Sequence, residues 1–154
     1  MSSANKQLEL LLKIETEKQD KFAQELQSAQ SYLAANQKKL RDVEGYKLEY
    51  LKKMQHMGST GVIGGNYQHY QRFIVQLEDG IKKQLEVIEI AKEVLEQRKN
   101  TWLEQQQSVR AVELVLEKKR HKQQQVIERG EQQAIDEFAT QKYIRSRLAQ
   151  QKSH

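Results

Sequence analysis

The chain contains no proline, and four of its seven glycines fall in one eight-residue patch, Gly58-Ser59-Thr60-Gly61-Val62-Ile63-Gly64-Gly65. Inside a helix proline costs about 3 kcal/mol and glycine about 1 kcal/mol. A chain lacking the first, and holding most of the second in one place, is free to be helical on both sides of that place. The patch is the one credible break, and it predicts two long helices joined by a single turn.

Composition leaves two candidates, a coiled coil or a disordered chain. Of the 154 residues 37% are hydrophobic and 31% charged, too little apolar surface for a compact globule of this length. Periodicity separates the two. Steps of three and four residues run from Asn5 through Leu8, Leu12, Glu15, Gln19, Phe22, Leu26, Ala29, Leu33, Asn36, Leu40, Val43, Lys47, Tyr50 and Met54 to Met57, and eleven of these sixteen are apolar. A second walk takes Tyr67, Tyr70, Ile74, Leu77, Ile81, Gln84, Ile88, Ala91, Leu95, Arg98, Trp102, Gln105, Val109, Val112 and Leu116, twelve of fifteen apolar. Stripes this long at 3.5-residue spacing define a coiled coil.

A short connection forces the two stripes into an antiparallel pair. With the turn centred on Val62, facing residues have numbers summing to 124. Leu8 then meets Leu116, Phe22 meets Trp102, Ala29 meets Leu95, Leu33 meets Ala91 and Val43 meets Ile81. Small faces large twice, and Gln19 faces Gln105 as a polar layer. The expected fold is all-α: one domain over residues 1–154, with helix one at about 5–57, a turn at 58–65 and helix two at about 66–152. The polar stripe positions Asn36, Lys47 and Arg98 have two readings: they fix register, or they carry their heads out to solvent.

The helices are unequal, roughly 80 Å and 130 Å at 1.5 Å per residue. Beyond about Leu116 the second helix therefore runs past its partner as an overhang. There the stripe fades, and a different apolar set appears: Ile127, Ala134, Phe138, Ile144 and Leu148. The charge lies there too. Residues 118–154 hold nine Lys and Arg against four Asp and Glu, so the net +5 belongs to this segment. It has three readings: steering toward an acidic partner, binding of nucleic acid or an anionic membrane, or a solvated face.

Several chemistries are not encoded. No cysteine is present, which excludes disulfides and thiolate metal sites. His56, His69, His121 and His154 have no metal-ligand spacing. The glycine patch lacks the Gly-Lys-Ser/Thr that completes a phosphate-binding loop. No apolar run reaches 18 residues, and no signal-peptide core follows the first residues. Neither an enzyme nor a cofactor nor a small-molecule substrate is expected, and the chain is expected to be cytoplasmic.

Motif order adds a resemblance. Gly45-Tyr46-Lys47-Leu48-Glu49-Tyr50 precedes the glycine patch, and Asn66-Tyr67-Gln68-His69-Tyr70-Gln71-Arg72-Phe73-Ile74-Val75-Gln76-Leu77-Glu78 follows it. Trp102 stands further on, and Ile135-Asp136-Glu137-Phe138-Ala139 lies near the end. This succession, across essentially the whole chain, resembles the FliJ family of flagellar type III export proteins. The resemblance implies an antiparallel coiled coil similar to the stalk of rotary ATPases. Its implied partners are a hexameric export ATPase, the cytosolic domain of the membrane export gate and export chaperones, with no nucleic acid among them. The implied place is the cytoplasmic face of the inner membrane, held peripherally.

Residues matching the family's gate-binding surface are Val43, Tyr46, Tyr50, Phe73 and Leu77. Gly80 stands where the family has a small alanine, and Gln84 where a histidine can occur. In the heptad frame Tyr46 and Phe73 flank the stripe, so both are expected to be partly exposed. Such rings make either a binding hot spot or a cap on the seam. The stalk-like picture, with the overhang's charge, implies ATPase contacts at Arg120, Arg129, Asp136, Glu137, Phe138 and Arg145. The alternative from another class is a generic coiled-coil scaffold or tether that binds acidic surface or nucleic acid through its basic end.

Overall fold

A computed structural model describes residues 3–60 and 65–152 of the chain. The fold is all-α, two long helices packed against each other as an antiparallel hairpin: α1, Ser3–Ser59, and α2, Gly65–Lys152. The centre of the expected turn, residues 61–64, lies outside the described residues.

Helix α1 ends two residues later than its stripe suggests. Gly58 and Ser59 belong to it, and the Thr60 amide still reaches the His56 carbonyl at 3.1 Å. The last carbonyls of any helix lack intrahelical donors. Here a hydroxyl serves the Met57 carbonyl, from Thr60 Oγ1 at 3.1 Å, and Ser59 Oγ (2.8 Å) and Thr60 Oγ1 (3.1 Å) also approach the His56 carbonyl beside its backbone donor. At the other side of the patch, Gly65 already opens α2.

The chain divides into two compact units, Met1–Thr16 with Gln107–His154 (unit one) and Glu17–Gln106 (unit two). In unit two the core is a single seam. Ala29, Ile74, Ile88 and Ala91 are its buried residues, with Ala91 only 2% exposed. Phe22, Leu26, Leu33, Leu40, Val43, Leu77, Ile81, Leu95 and Trp102 are half-buried around them. Contacts across the seam join residues whose numbers sum to 120–125: Asn36 with Gln84, Glu25 with Arg98, Tyr50 with Phe73 and Lys47 with Glu78. This brackets the expected 124.

The polar stripe positions separate by kind. Gln84 donates its amide to the Asn36 backbone oxygen (3.0 Å) and to Asn36 Oδ1 (2.8 Å), while Asn36 Nδ2 donates to the Tyr32 carbonyl (2.8 Å). That is a register-fixing layer. Lys47 and Arg98 instead carry their charges outward to Glu78 (3.4 Å) and Glu25 (3.8 Å). Arg98 is the one stripe residue of α2 that is exposed.

In unit one, Val109 and Leu116 are buried, and so is the polar Asn5, only 4% exposed. Asn5 Nδ2 donates to Gln123 Oε1 at 2.8 Å, and Arg120 pairs with Glu9 at 2.7 Å. Helix pairing therefore continues to Gln123, two turns past Leu116 where the stripe loses its apolar residues. The reason is chemical: the last layer is made by two amides. Every described residue from Gln124 to Lys152 is exposed, and this is the overhang.

Candidate functional site

The family-matching residues of unit two gather where α1 and α2 carry aromatic rings at seam and flank. Tyr46 and Tyr50 stand one turn apart on α1, and Phe73 and Leu77 one turn apart on α2. The Tyr50 ring packs on Phe73 with centroids 4.6 Å apart and planes tilted by 55°. It also meets Tyr70 at 5.4 Å. Tilted rings at these separations attract one another by about 0.5–1.5 kcal/mol beyond the area they bury. Val43, Tyr50, Phe73 and Leu77 are half-buried, and Tyr46 is 55% exposed.

Two members of the cluster escaped the sequence reading. Tyr70 belongs to the seam stripe and also joins the Tyr50 ring. Lys53 places its Nζ 5.1 Å from the centroid of the same ring, a cation–π arrangement. A signal for each was present. Tyr70 lies three residues before Phe73 and Lys53 three after Tyr50, the spacing that brings side chains together on a helix. The two departures from the family pattern differ in kind. A Cβ added at Gly80 meets nothing within 4 Å, so the position is open surface. Gln84 is committed to Asn36.

The expected ATPase-binding residues divide along α2 of unit one. Arg120 sits inside the paired region, held by Glu9. Arg129, Asp136, Glu137, Phe138 and Arg145 all lie on the overhang and are exposed, Phe138 at 69%. Asp136 accepts from Gln132 Nε2 at 3.1 Å, and its carbonyl takes Thr140 Oγ1 at 2.8 Å. At about 100° per residue, Ile127, Ala134, Phe138 and Leu148 continue the face that carries Val109, Val112, Leu116 and Gln123, so four of the five residues expected to form a different apolar set extend the seam and Ile144 lies off it. The seam thus outlasts its partner: the same face goes on, uncovered by α1.

Among the described residues no group of His, Asp and Glu is placed to hold a metal ion, and no helix is long and apolar enough to cross a membrane. What the chain presents is side chains on helix faces. Such an arrangement defines a class, an all-α helical hairpin. The sequence matches the family model described as Flagellar FliJ protein over residues 4–148, and the chain belongs to the FliJ family. It is therefore a flagellar protein related to export, in a family whose members are non-catalytic components. No curated protein and no solved structure matches it.

Proposed function

We propose that the protein is a coupling factor of flagellar export, needed for assembly of the flagellum. It links the hexameric export ATPase to the cytosolic domain of the membrane export gate and interacts with export chaperones. It is a binding protein and not an enzyme, and it works at the cytoplasmic face of the inner membrane, held there by its partners.

The observation that carries this reading is the ring cluster at the hairpin's surface. Val43, Tyr46, Tyr50, Phe73 and Leu77, which match the family's gate-binding residues, include a packed aromatic pair with an exposed tyrosine one turn away. Aromatic anchors that are prepacked and partly exposed are what protein-binding hot spots use. The ATPase assignment draws on the overhang, with its uncovered apolar face and its excess of basic residues.

Binding of the gate's cytosolic domain to Y46A/F73A tests the proposal. Neither ring is a buried core residue, so helicity by circular dichroism stays near the parent value. Affinity falls by about 2 kcal/mol, roughly thirtyfold. Unchanged affinity in the folded double variant removes the gate assignment.

A further inference from the structure

Charge is not spread evenly around α2 in unit one. At about 100° per residue, Val115, Lys118, Lys119, Lys122, Val126 and Arg129 share one face, about a quarter turn from the seam residues Val109, Val112 and Leu116. Between residues 111 and 133 no acid falls on that face. Glu113, Glu117, Glu128 and Glu131 all lie on the opposite one. The other basic groups nearby are neutralised: Arg110 by Glu113 (3.2 Å) and Glu117 (3.8 Å), and Arg120 by Glu9 (2.7 Å). Lys118, Lys119, Lys122 and Arg129 are exposed and form no ion pair among the described residues. Val115 and Val126, 45% and 66% exposed, lie between Lys119 on one side of the strip and Lys118, Lys122 and Arg129 on the other. A shallow groove runs over Val115, Lys118, Lys119, Lys122 and Gln125.

Apolar side chains flanked by like charges are the arrangement with which one coiled-coil helix selects another, through charges beside the apolar seam. We propose that this strip docks an acidic amphipathic helix of a partner protein. Val115 and Val126 meet the partner's apolar stripe, and the three lysines and Arg129 pair with its flanking carboxylates. Single-stranded nucleic acid fits less well, since the strip carries no aromatic ring for a base to stack on. A membrane surface fits less well too, since a helix lying in the interface needs a broad apolar face. The strip shares Arg129 with the residues proposed above to contact the ATPase, and the lysine variant that tests it leaves Arg129 in place.

Calorimetric titration of the full chain tests it, with two synthetic helices as probes. One has a leucine stripe flanked by glutamates; the other has the same composition with the leucines scattered. The first binds and the second binds about tenfold more weakly or worse. K118E/K119E/K122E lowers affinity for the first probe by about tenfold or more, whereas K82E/K83E/K92E, reversing three exposed lysines of unit two, leaves it unchanged. V115S/V126S weakens it with no change of charge. All these side chains are exposed, and circular dichroism verifies that each variant is folded. Equal binding of both probes overturns the proposal, because it shows electrostatic attraction alone. So does undiminished binding by the lysine variant, or a preference for anionic-lipid vesicles or duplex DNA over the first probe.

Discussion

Gln84 and Asn36 show how much one polar pair settles in a seam otherwise built of Leu, Ile and Ala. Asn36 accepts two hydrogen bonds from the Gln84 amide and donates its own to Tyr32. A slip of either helix by a heptad would strand these groups opposite hydrocarbon. Asn36→Ala removes one acceptor and leaves the Gln84 amide short of a partner, so stability falls by about 1 kcal/mol, read from the midpoint of urea unfolding. Replacing both by leucine raises the midpoint instead and loosens the register, because the layer stabilises less than apolar packing would. Gly80 makes the opposite case. Nothing lies within 4 Å of a Cβ built there, so Gly80→Ala relieves the helix penalty of glycine and stabilises by about 1 kcal/mol. Surface ion pairs such as Lys83 with Asp79 and Lys92 with Glu89 are exposed on both sides and contribute little.

At the scale of the helices, periodicity carried most of the architecture. All sixteen stripe positions of α1, from Asn5 to Met57, are buried or half-buried, as are those of α2 apart from Arg98. Arg98 departs because its stem is long enough to lie along the seam while its head reaches Glu25. The ends were less legible. Helix α1 runs on through Gly58 and Ser59, where the Ser59 and Thr60 hydroxyls add donors at the His56 and Met57 carbonyls, which an apolar stripe does not register. Pairing in unit one runs to Gln123 because its last layer is Asn5 with Gln123, which leaves no hydrophobic trace. The ring cluster was half legible. Tyr46, Tyr50, Phe73 and Leu77 were reached through the family resemblance, with their helical spacing in agreement, but the joining of Tyr70 and Lys53 depends on side-chain directions. The overhang yields its own prediction. Its backbone bonds are exposed and no packing protects them, so amides from 126 to 150 exchange faster than those of 80–105, by about a hundredfold or more. Hydrogen exchange read by mass spectrometry checks this, and equal protection in the two stretches contradicts it.

For the whole molecule, the question is whether two partners use separate parts of one chain. The proposed gate surface belongs to unit two, and all but one of the proposed ATPase residues lie on the overhang of unit one. The exception, Arg120, is tied to Glu9 and already contributes to pairing. A truncation meant to remove the overhang alone must therefore fall after Gln125, beyond the Asn5–Gln123 layer; a cut at Leu116 would also strip partners from α1. The shortened chain keeps its seam, so its thermal midpoint stays close to that of the full chain. Its stimulation of the export ATPase is lost almost entirely, while its affinity for the gate's cytosolic domain stays within about twofold. Y46A/F73A gives the reverse pattern. Since the substituted residues belong to unit two and the deleted ones to unit one, the losses are expected to combine additively in a chain carrying both changes. In the overhang itself, R129E/R145E slows association with the ATPase more at low salt than at high salt, because the Debye length is about 10 Å at 0.1 M. A truncated chain that stimulates the ATPase at the full level would show that the overhang is not the ring-binding element. A truncated chain that also loses the gate would show that the two surfaces are not separable.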